Sequence, residues 1–173
     1  VNRGVELNLN VDAVKTRTFT WNINANASYN KNKITELYNG LNEYVVSTTG
    51  TKLVVGHSYG EFFLNRFAGV NPINGDALWL DANGELTDQF NESDKVMVGK
   101  SCIAPWQGGF GTTLTWKGLS LNAQFSWVAD RWMINNDRYF EEGGGNFDTY
   151  NQSKRMLYDR WKKPGDITDI PRH

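Results

Sequence analysis

The run Gly108-Gly109-Phe110-Gly111-Thr112-Thr113-Leu114-Thr115-Trp116-Lys117-Gly118-Leu119-Ser120-Leu121-Asn122-Ala123-Gln124-Phe125-Ser126-Trp127-Val128 reads as two strands joined by a turn at Lys117-Gly118. In its second half Leu119, Leu121, Ala123, Phe125 and Trp127 alternate with Ser120, Asn122, Gln124 and Ser126, a period of two that puts apolar side chains on one face and uncharged polar ones on the other. The first half alternates more weakly, with Phe110, Thr112, Leu114 and Trp116 on one face. The pattern recurs near the start, where Val5, Leu7, Leu9 and Val11 interleave with Glu6, Asn8, Asn10 and Asp12. It recurs again where Phe19, Trp21, Ile23, Ala25, Ala27 and Tyr29 interleave with Thr20, Asn22, Asn24, Asn26, Ser28 and Asn30.

These runs are long. An ordinary globular strand has about 5–6 residues, whereas a tilted strand crossing a bilayer needs about 9–11. Aromatic residues stand at the ends of the apolar faces (Phe19, Tyr29, Trp116, Trp127), as the interfacial girdles of an outer-membrane barrel require. A soluble antiparallel sandwich gives the same alternation. Its wet face, however, is usually covered by Lys and Glu, whereas here it carries Asn, Ser, Thr and Gln. The short connections at residues 13–18 and Lys117-Gly118 contrast with the long, turn-rich segments 31–107 and 130–173. Short turns at one end and long loops at the other are the arrangement of a bacterial outer-membrane barrel. The expected strands lie at about 4–13, 17–30, 108–117 and 118–129.

Composition narrows the function classes. Among 173 residues, 18 basic and 19 acidic side chains leave a net charge of −1, and no basic stripe with interleaved aromatics points to nucleic acid. No apolar run is long enough for a transmembrane helix, so a membrane reading rests on strands alone. The single Cys102 forms no internal disulfide and builds no zinc cluster. The expectation is that the chain is a piece of something larger, because it lacks a signal peptide and stops shortly after a loop-like Pro164-Gly165-Asp166 segment.

Within the long segments, Asn71 to Asp76 and Asp81-Ala82-Asn83-Gly84-Glu85 are turns by composition, the second joining a hairpin of Ala77-Leu78-Trp79-Leu80 against Leu86-Thr87. The Asp81 turn lacks the Gly and Glu spacing of a calcium loop, so no metal is expected. Residues 151–161 space Met156, Leu157 and Trp161 for a short amphipathic helix stopped by Pro164-Gly165.

Gly56-His57-Ser58-Tyr59-Gly60 formally matches the G-x-S-x-G elbow of an α/β-hydrolase. The elbow needs small residues at its crossing, but Glu61-Phe62-Phe63 follow directly, and the downstream His is the terminal His173. The preceding alternation is also not that of a parallel sheet. No catalytic residue is assigned, and the chain is read as a non-enzyme.

Five stretches together resemble the SusC/RagA family of TonB-dependent outer-membrane transporters. They are Asn2-Arg3-Gly4-Val5-Glu6-Leu7; Trp21 through Tyr29-Asn30-Lys31-Asn32-Lys33-Ile34-Thr35-Glu36-Leu37; Ala68-Gly69-Val70-Asn71-Pro72 running to Gly75, Trp79 and Asp81-Ala82-Asn83-Gly84; Gly99, Pro105 and Gly108-Gly109-Phe110 leading to Trp116-Lys117-Gly118; and Arg160-Trp161-Lys162-Lys163-Pro164-Gly165-Asp166-Ile167-Thr168-Asp169-Ile170-Pro171-Arg172. The resemblance implies an all-β fold: an antiparallel transmembrane β-barrel segment, part of a roughly 22-stranded TonB-dependent receptor barrel with long extracellular loops. It implies a nutrient importer in the cell outer membrane of a Gram-negative, Bacteroidota-type bacterium. Its partners would be membrane lipid, a SusD-like surface lipoprotein, the TonB complex reached through an N-terminal part absent here, and an oligosaccharide or peptide substrate, with no nucleic acid and no cofactor.

On that reading Asn22, Asn24, Asn26, Asn122 and Gln124 face the lumen, and the loop aromatics Trp79, Trp106, Trp132 and Tyr139 are candidate substrate contacts, because aromatic faces stack on sugars and apolar groups. The alternative is a soluble carbohydrate-binding β-sandwich, which would bury the faces of Leu121 and Trp127 in its own core.

Overall fold

The computed structural model describes residues 1–143, 147 and 149–172. Eleven strands and two short helices follow one another in the described residues: β1 (Asn2–Lys15), β2 (Phe19–Asn32), β3 (Glu43–Val46), β4 (Thr51–Val54), β5 (Glu61–Leu64), β6 (Arg66–Val70), β7 (Ala77–Leu80), β8 (Leu86–Thr87), β9 (Val96–Ser101), β10 (Trp106–Trp116), β11 (Leu119–Ala129), α1 (Asn136–Glu141) and α2 (Lys154–Tyr158). The chain divides into two compact units, Val1–Phe62 with Gly99–Trp132, and Phe63–Val98 with Met133–His173. No described helix is long and apolar enough to cross a membrane.

The long alternating runs form one antiparallel sheet in the order β1–β2–β10–β11. Because side chains alternate with period two, the register between neighbours sets which residues share a face. Here one register holds across all four strands. Leu9 lies opposite Ala25, Ala25 opposite Phe110 and Phe110 opposite Phe125; Val11, Ile23, Thr112 and Ala123 form the next such row. The intervening rows are polar, Asn10–Asn24–Gly111–Gln124 and Asp12–Asn22–Thr113–Asn122. The sheet is open, with β1 and β11 at its edges, so the chain by itself closes no barrel.

Two local features shape this sheet. The Lys117-Gly118 turn has φ of 46° and 87°, the doubly positive pair of a type I′ turn whose twist matches the flanking strands. In β1 the register shifts between Asp12 and Val14, a bulge that carries the strand on to Lys15. After the bulge Val14, rather than Ala13, follows Val11 on the apolar face, opposite Trp21. Residues 13–15, expected as part of the connection, therefore extend the strand. The link to β2 is the tight turn in which the Thr16 N–H donates to the Phe19 carbonyl at 2.8 Å.

The segment expected as long loops also contains strands. β3, β4, β5 and β9 form a second antiparallel sheet in that order, and β6–β7–β8 a third. The third contains the expected hairpin, with Trp79 opposite Thr87 and Leu80 opposite Leu86. The helix expected over 151–161 is shorter. It stops at Tyr158, where the Thr168 hydroxyl takes the Asp159 carbonyl, and Trp161 leaves the helical path to bond Pro72 and Ile170 instead. Met156 is the helix's buried anchor.

Buried hydrophobic side chains among the described residues are Phe62, Met156 and Ile170. None lies in the β1–β2–β10–β11 sheet; Phe62 belongs to β5.

Candidate functional site: a two-faced sheet and its loop-end cavities

On the apolar face of the sheet Val5, Leu7, Phe110, Leu121 and Phe125 are all more than half exposed. Leu121 is 61 % and Trp127 36 % exposed, so the core that a soluble sandwich would place over them is not supplied by the described residues. Aromatic rings mark both ends of this face. At one end Tyr29 and Trp106 lie opposite each other with ring centroids 4.5 Å apart, and at the other Phe19 lies opposite Trp116. From Tyr29 to Phe19 the strand rises about 34 Å at about 3.4 Å per residue. At the strand tilt of about 45° used by membrane barrels, that is a height of about 25 Å, the thickness of an outer-membrane apolar band.

The polar face gathers all five residues expected to line a lumen, Asn22, Asn24, Asn26, Asn122 and Gln124, in adjacent rows. Their amides bond each other and their neighbours. Asn22 Nδ2 donates to Asn10 Oδ1 at 2.8 Å and to Asp12 Oδ1 at 3.0 Å, and Asn122 Nδ2 donates to Thr113 Oγ1 at 2.8 Å. At Gly109 and Gly111 the polar face of β10 carries no side chain. A Cβ on Gly111 would stand 2.1 Å from Gln124 Oε1, so the glycine makes room for the glutamine amide.

The four aromatic candidates are divided between the two units. Trp106 and Trp132 belong to the first unit, Trp79 and Tyr139 to the second. Trp106 shares the apolar face with Phe125. Trp132 is 47 % exposed, carries the Lys100 ammonium 4.4 Å from its ring centre and donates its Nε1–H to Asp130. It lines a cavity of about 250 Å³ with Tyr29, Lys31, Lys33 and Lys100. Trp79 is half-buried, in edge contact with Phe67 and Phe90 at 5.5 and 5.0 Å. Tyr139 is 59 % exposed and borders a cavity of about 450 Å³ with Phe67, Met156 and Ile170.

Beside that cavity lies an ion-pair network centred on Arg155, whose partners Glu142 and Asp169 lie 13 and 14 residues away in the chain, beyond the reach of local sequence patterns. Arg155 grips the Asp169 carboxylate at 2.8 and 2.9 Å and Glu142 at 2.9 and 3.1 Å, while Arg138 Nε adds a bond to Glu142 at 2.8 Å. The Arg155 bond and charge hold Asp169 below the usual carboxylate range, against a smaller opposing effect of burial. Burial pushes Glu142 up, but Arg138, Ser153 and Arg155 together outweigh it and hold this group low as well.

The serine elbow is not formed. Ser58 lies in the turn between β4 and β5, not between a strand and a helix. Its hydroxyl donates to the Tyr59 carbonyl at 3.2 Å, and His57 Nδ1 meets Glu61 Oε2 at 3.0 Å rather than the serine. His173 lies outside the described residues. The Asp81 carboxylate is used by its own turn, accepting the Asn83 and Glu85 amides at 2.8 Å each; the Glu85 amide bond leads in holding its pKa low. No cluster of three or more potential metal ligands occurs among the described residues.

No family model and no curated protein matches the chain. Solved structures do. A chain of the RagAB peptide transporter matches with a TM-score of 0.88 and 36 % identity over 99 % of this chain. The RagAB peptide importer matches in its closed-closed state with a TM-score of 0.86 and 37 % identity, and in its open-open state with 0.86 and 35 %. This chain spans about a fifth of the length of those chains, 19 to 20 %. Over almost its whole length, then, it is similar in both sequence and fold to a segment of the RagAB peptide importer.

Proposed function

We propose that the chain is a segment of a SusC/RagA-type, TonB-dependent importer barrel in a bacterial outer membrane, with the Phe125 face against lipid and the Asn24 face toward the lumen. The observation that carries this reading is the single register of β1–β2–β10–β11, which leaves one continuous apolar face about as tall as a membrane and uncovered by the rest of the chain. The open edges at β1 and β11 are where further barrel strands would pair, since unpaired backbone groups in hydrocarbon cost several kcal/mol each. The importer needs no covalent chemistry in this segment: substrate is held by loops and lumen, and force from the TonB complex acts on a plug elsewhere in the protein. A SusD-like lipoprotein covers the loop end. Of the two substrate classes implied by the sequence, the likeness to a peptide importer favours oligopeptides over oligosaccharides.

The test is a pair of neighbouring substitutions in the intact protein. Phe125→Arg puts a charge at the middle of the lipid face and is expected to cost about 2–4 kcal/mol and to deplete the protein from the outer-membrane fraction. Gln124→Arg, one residue away on the opposite face, is expected to assemble normally. Equal assembly of both variants would count against a lipid-facing Phe125. Uptake of labelled oligopeptides and oligosaccharides by cells carrying the wild-type protein then separates the substrate classes.

A further inference from the structure

Just past the aromatic row at the loop end of the sheet, the apolar face becomes cationic. Arg3 and Lys31 continue the faces of Val5 and Tyr29 and lie directly opposite each other in register. Like charges placed so are destabilising unless something negative joins them. Lys33 and Lys100 line the cavity beside them, with Lys31, Tyr29 and Trp132. Among the described residues none of these four cations forms an ion pair. The acidic group at the cavity wall, Asp130, accepts the Trp132 indole at 3.2 Å. Glu6 pairs with Ser28 on the polar face. By contrast, Lys15, at the turn end of the same sheet, is matched by Asp12 at 3.4 Å.

We propose that Arg3, Lys31, Lys33 and Lys100 form a docking site for the phosphorylated headgroup of an outer-leaflet glycolipid, whose acyl chains lie along the apolar face below Tyr29 and Trp106. The site rests on the membrane-spanning reading above. Its chemistry is that of a basic cluster at the level where lipid headgroups sit, beside aromatic side chains that belong at the same interface. Trp132, half-exposed and carrying Lys100 over its ring, lines the same cavity and adds an aromatic side chain to it.

The test places the intact protein in nanodiscs of phosphatidylcholine containing either diphosphoryl lipid A or its dephosphorylated form, and counts retained glycolipid by native mass spectrometry after detergent release. Wild-type protein is expected to retain the phosphorylated form. The double variant Lys31→Gln/Lys100→Gln is expected to weaken retention about twenty-fivefold, at roughly fivefold per cation, while Lys15→Gln leaves it unchanged. Equal retention by the double variant, equal retention of the dephosphorylated lipid, or full displacement by inorganic phosphate would overturn the lipid site while leaving the barrel reading intact. Failure of wild-type protein to enter the nanodiscs would overturn both.

Discussion

The Trp161 indole lies directly over Gly75. A Cβ at Gly75 would stand 2.4 Å from Cδ2 and Cε3 of the ring, and the indole Nε1–H donates to the carbonyl of Pro72 at 3.1 Å. The turn and the C-terminal segment are joined at three further points. Gly165 N–H donates to the Pro72 carbonyl, Arg172 N–H to the Gly75 carbonyl, and Arg172 Nε meets Asp76 Oδ1 at 2.8 Å. Gly75→Ala is disfavoured twice, by the ring and by a φ of +80°. The expected cost is about 1–3 kcal/mol, read as faster limited proteolysis within residues 133–172 of the intact protein. Unchanged cleavage would show that the ring is free to move aside.

Trp127 bears the same relation to Gly108 on the apolar face. The two are register partners, and a Cβ on Gly108 would stand 2.7 Å from Trp127 Cζ2 and 2.4 Å from the Asn26 carbonyl. Gly108→Val is expected to displace the indole and to weaken the β2–β10 pairing, at about 1–3 kcal/mol. The check is the tryptophan emission of the refolded protein in lipid, compared between Gly108→Val and a Trp127→Phe background. An emission change that persists in that background would mean that the ring over Gly108 is not its source.

What could be read in advance followed from local chemistry. Alternation over Phe19–Tyr29 and Leu119–Trp127 reports strand and face together, because side-chain period and sheet face are the same geometric fact. The gathering of Asn22, Asn24, Asn26, Asn122 and Gln124 on one face followed from that alternation. The β1 bulge was hidden because Ala13-Val14 breaks the period at the point where the chain inserts a residue, and a broken period looks like a loop. The short strands β3, β4, β5 and β9 have too few residues to show a period. Trp161 was read as a helix residue from spacing alone, whereas its partners, Pro72 and Gly75, are about ninety residues away. The Arg155–Glu142–Asp169 network likewise joins charges that local sequence shows only as solvated polar residues.

That network is expected to make the second unit acid-sensitive. Asp169 and Glu142 are both held below their ordinary range by arginine. A depressed carboxylate contributes stability that is fully present above its unfolded pKa of about 4 and is lost as pH falls through the lower folded value. Protection of the amides within residues 133–172, taken against the intrinsic exchange rate at each pH, should therefore fall as the pH is taken below about 4, while the β1–β2–β10–β11 amides stay protected. Glu142→Gln should flatten this response, and a profile identical to wild type would remove Glu142 from its cause.

Ser58→Ala should leave any ester hydrolysis by the purified protein unchanged, because the hydroxyl donates to the Tyr59 carbonyl and His57, the histidine among the described residues, is turned to Glu61. Loss of activity on that substitution would reinstate the G-x-S-x-G reading.

Trp79 and Tyr139 separate loop packing from substrate contact. Trp79 is wedged between Phe67 and Phe90, so Trp79→Ala leaves a gap in that cluster and is expected to cost about 2–3 kcal/mol, less than the figure for a fully buried tryptophan. Tyr139 also touches Phe140 and Phe147 edge-on, yet most of its surface is open beside the cavity that Phe67 and Met156 line. On the proposed importer function, Tyr139→Ala should therefore raise the apparent KM for oligopeptide uptake severalfold without shifting the melting temperature of the intact protein. Trp79→Ala should lower the melting temperature, and uptake should fall only in proportion to the protein lost. If Tyr139→Ala instead lowers the melting temperature and leaves the KM in place, Tyr139 is loop packing, and the peptide contacts of the proposed importer must be sought elsewhere.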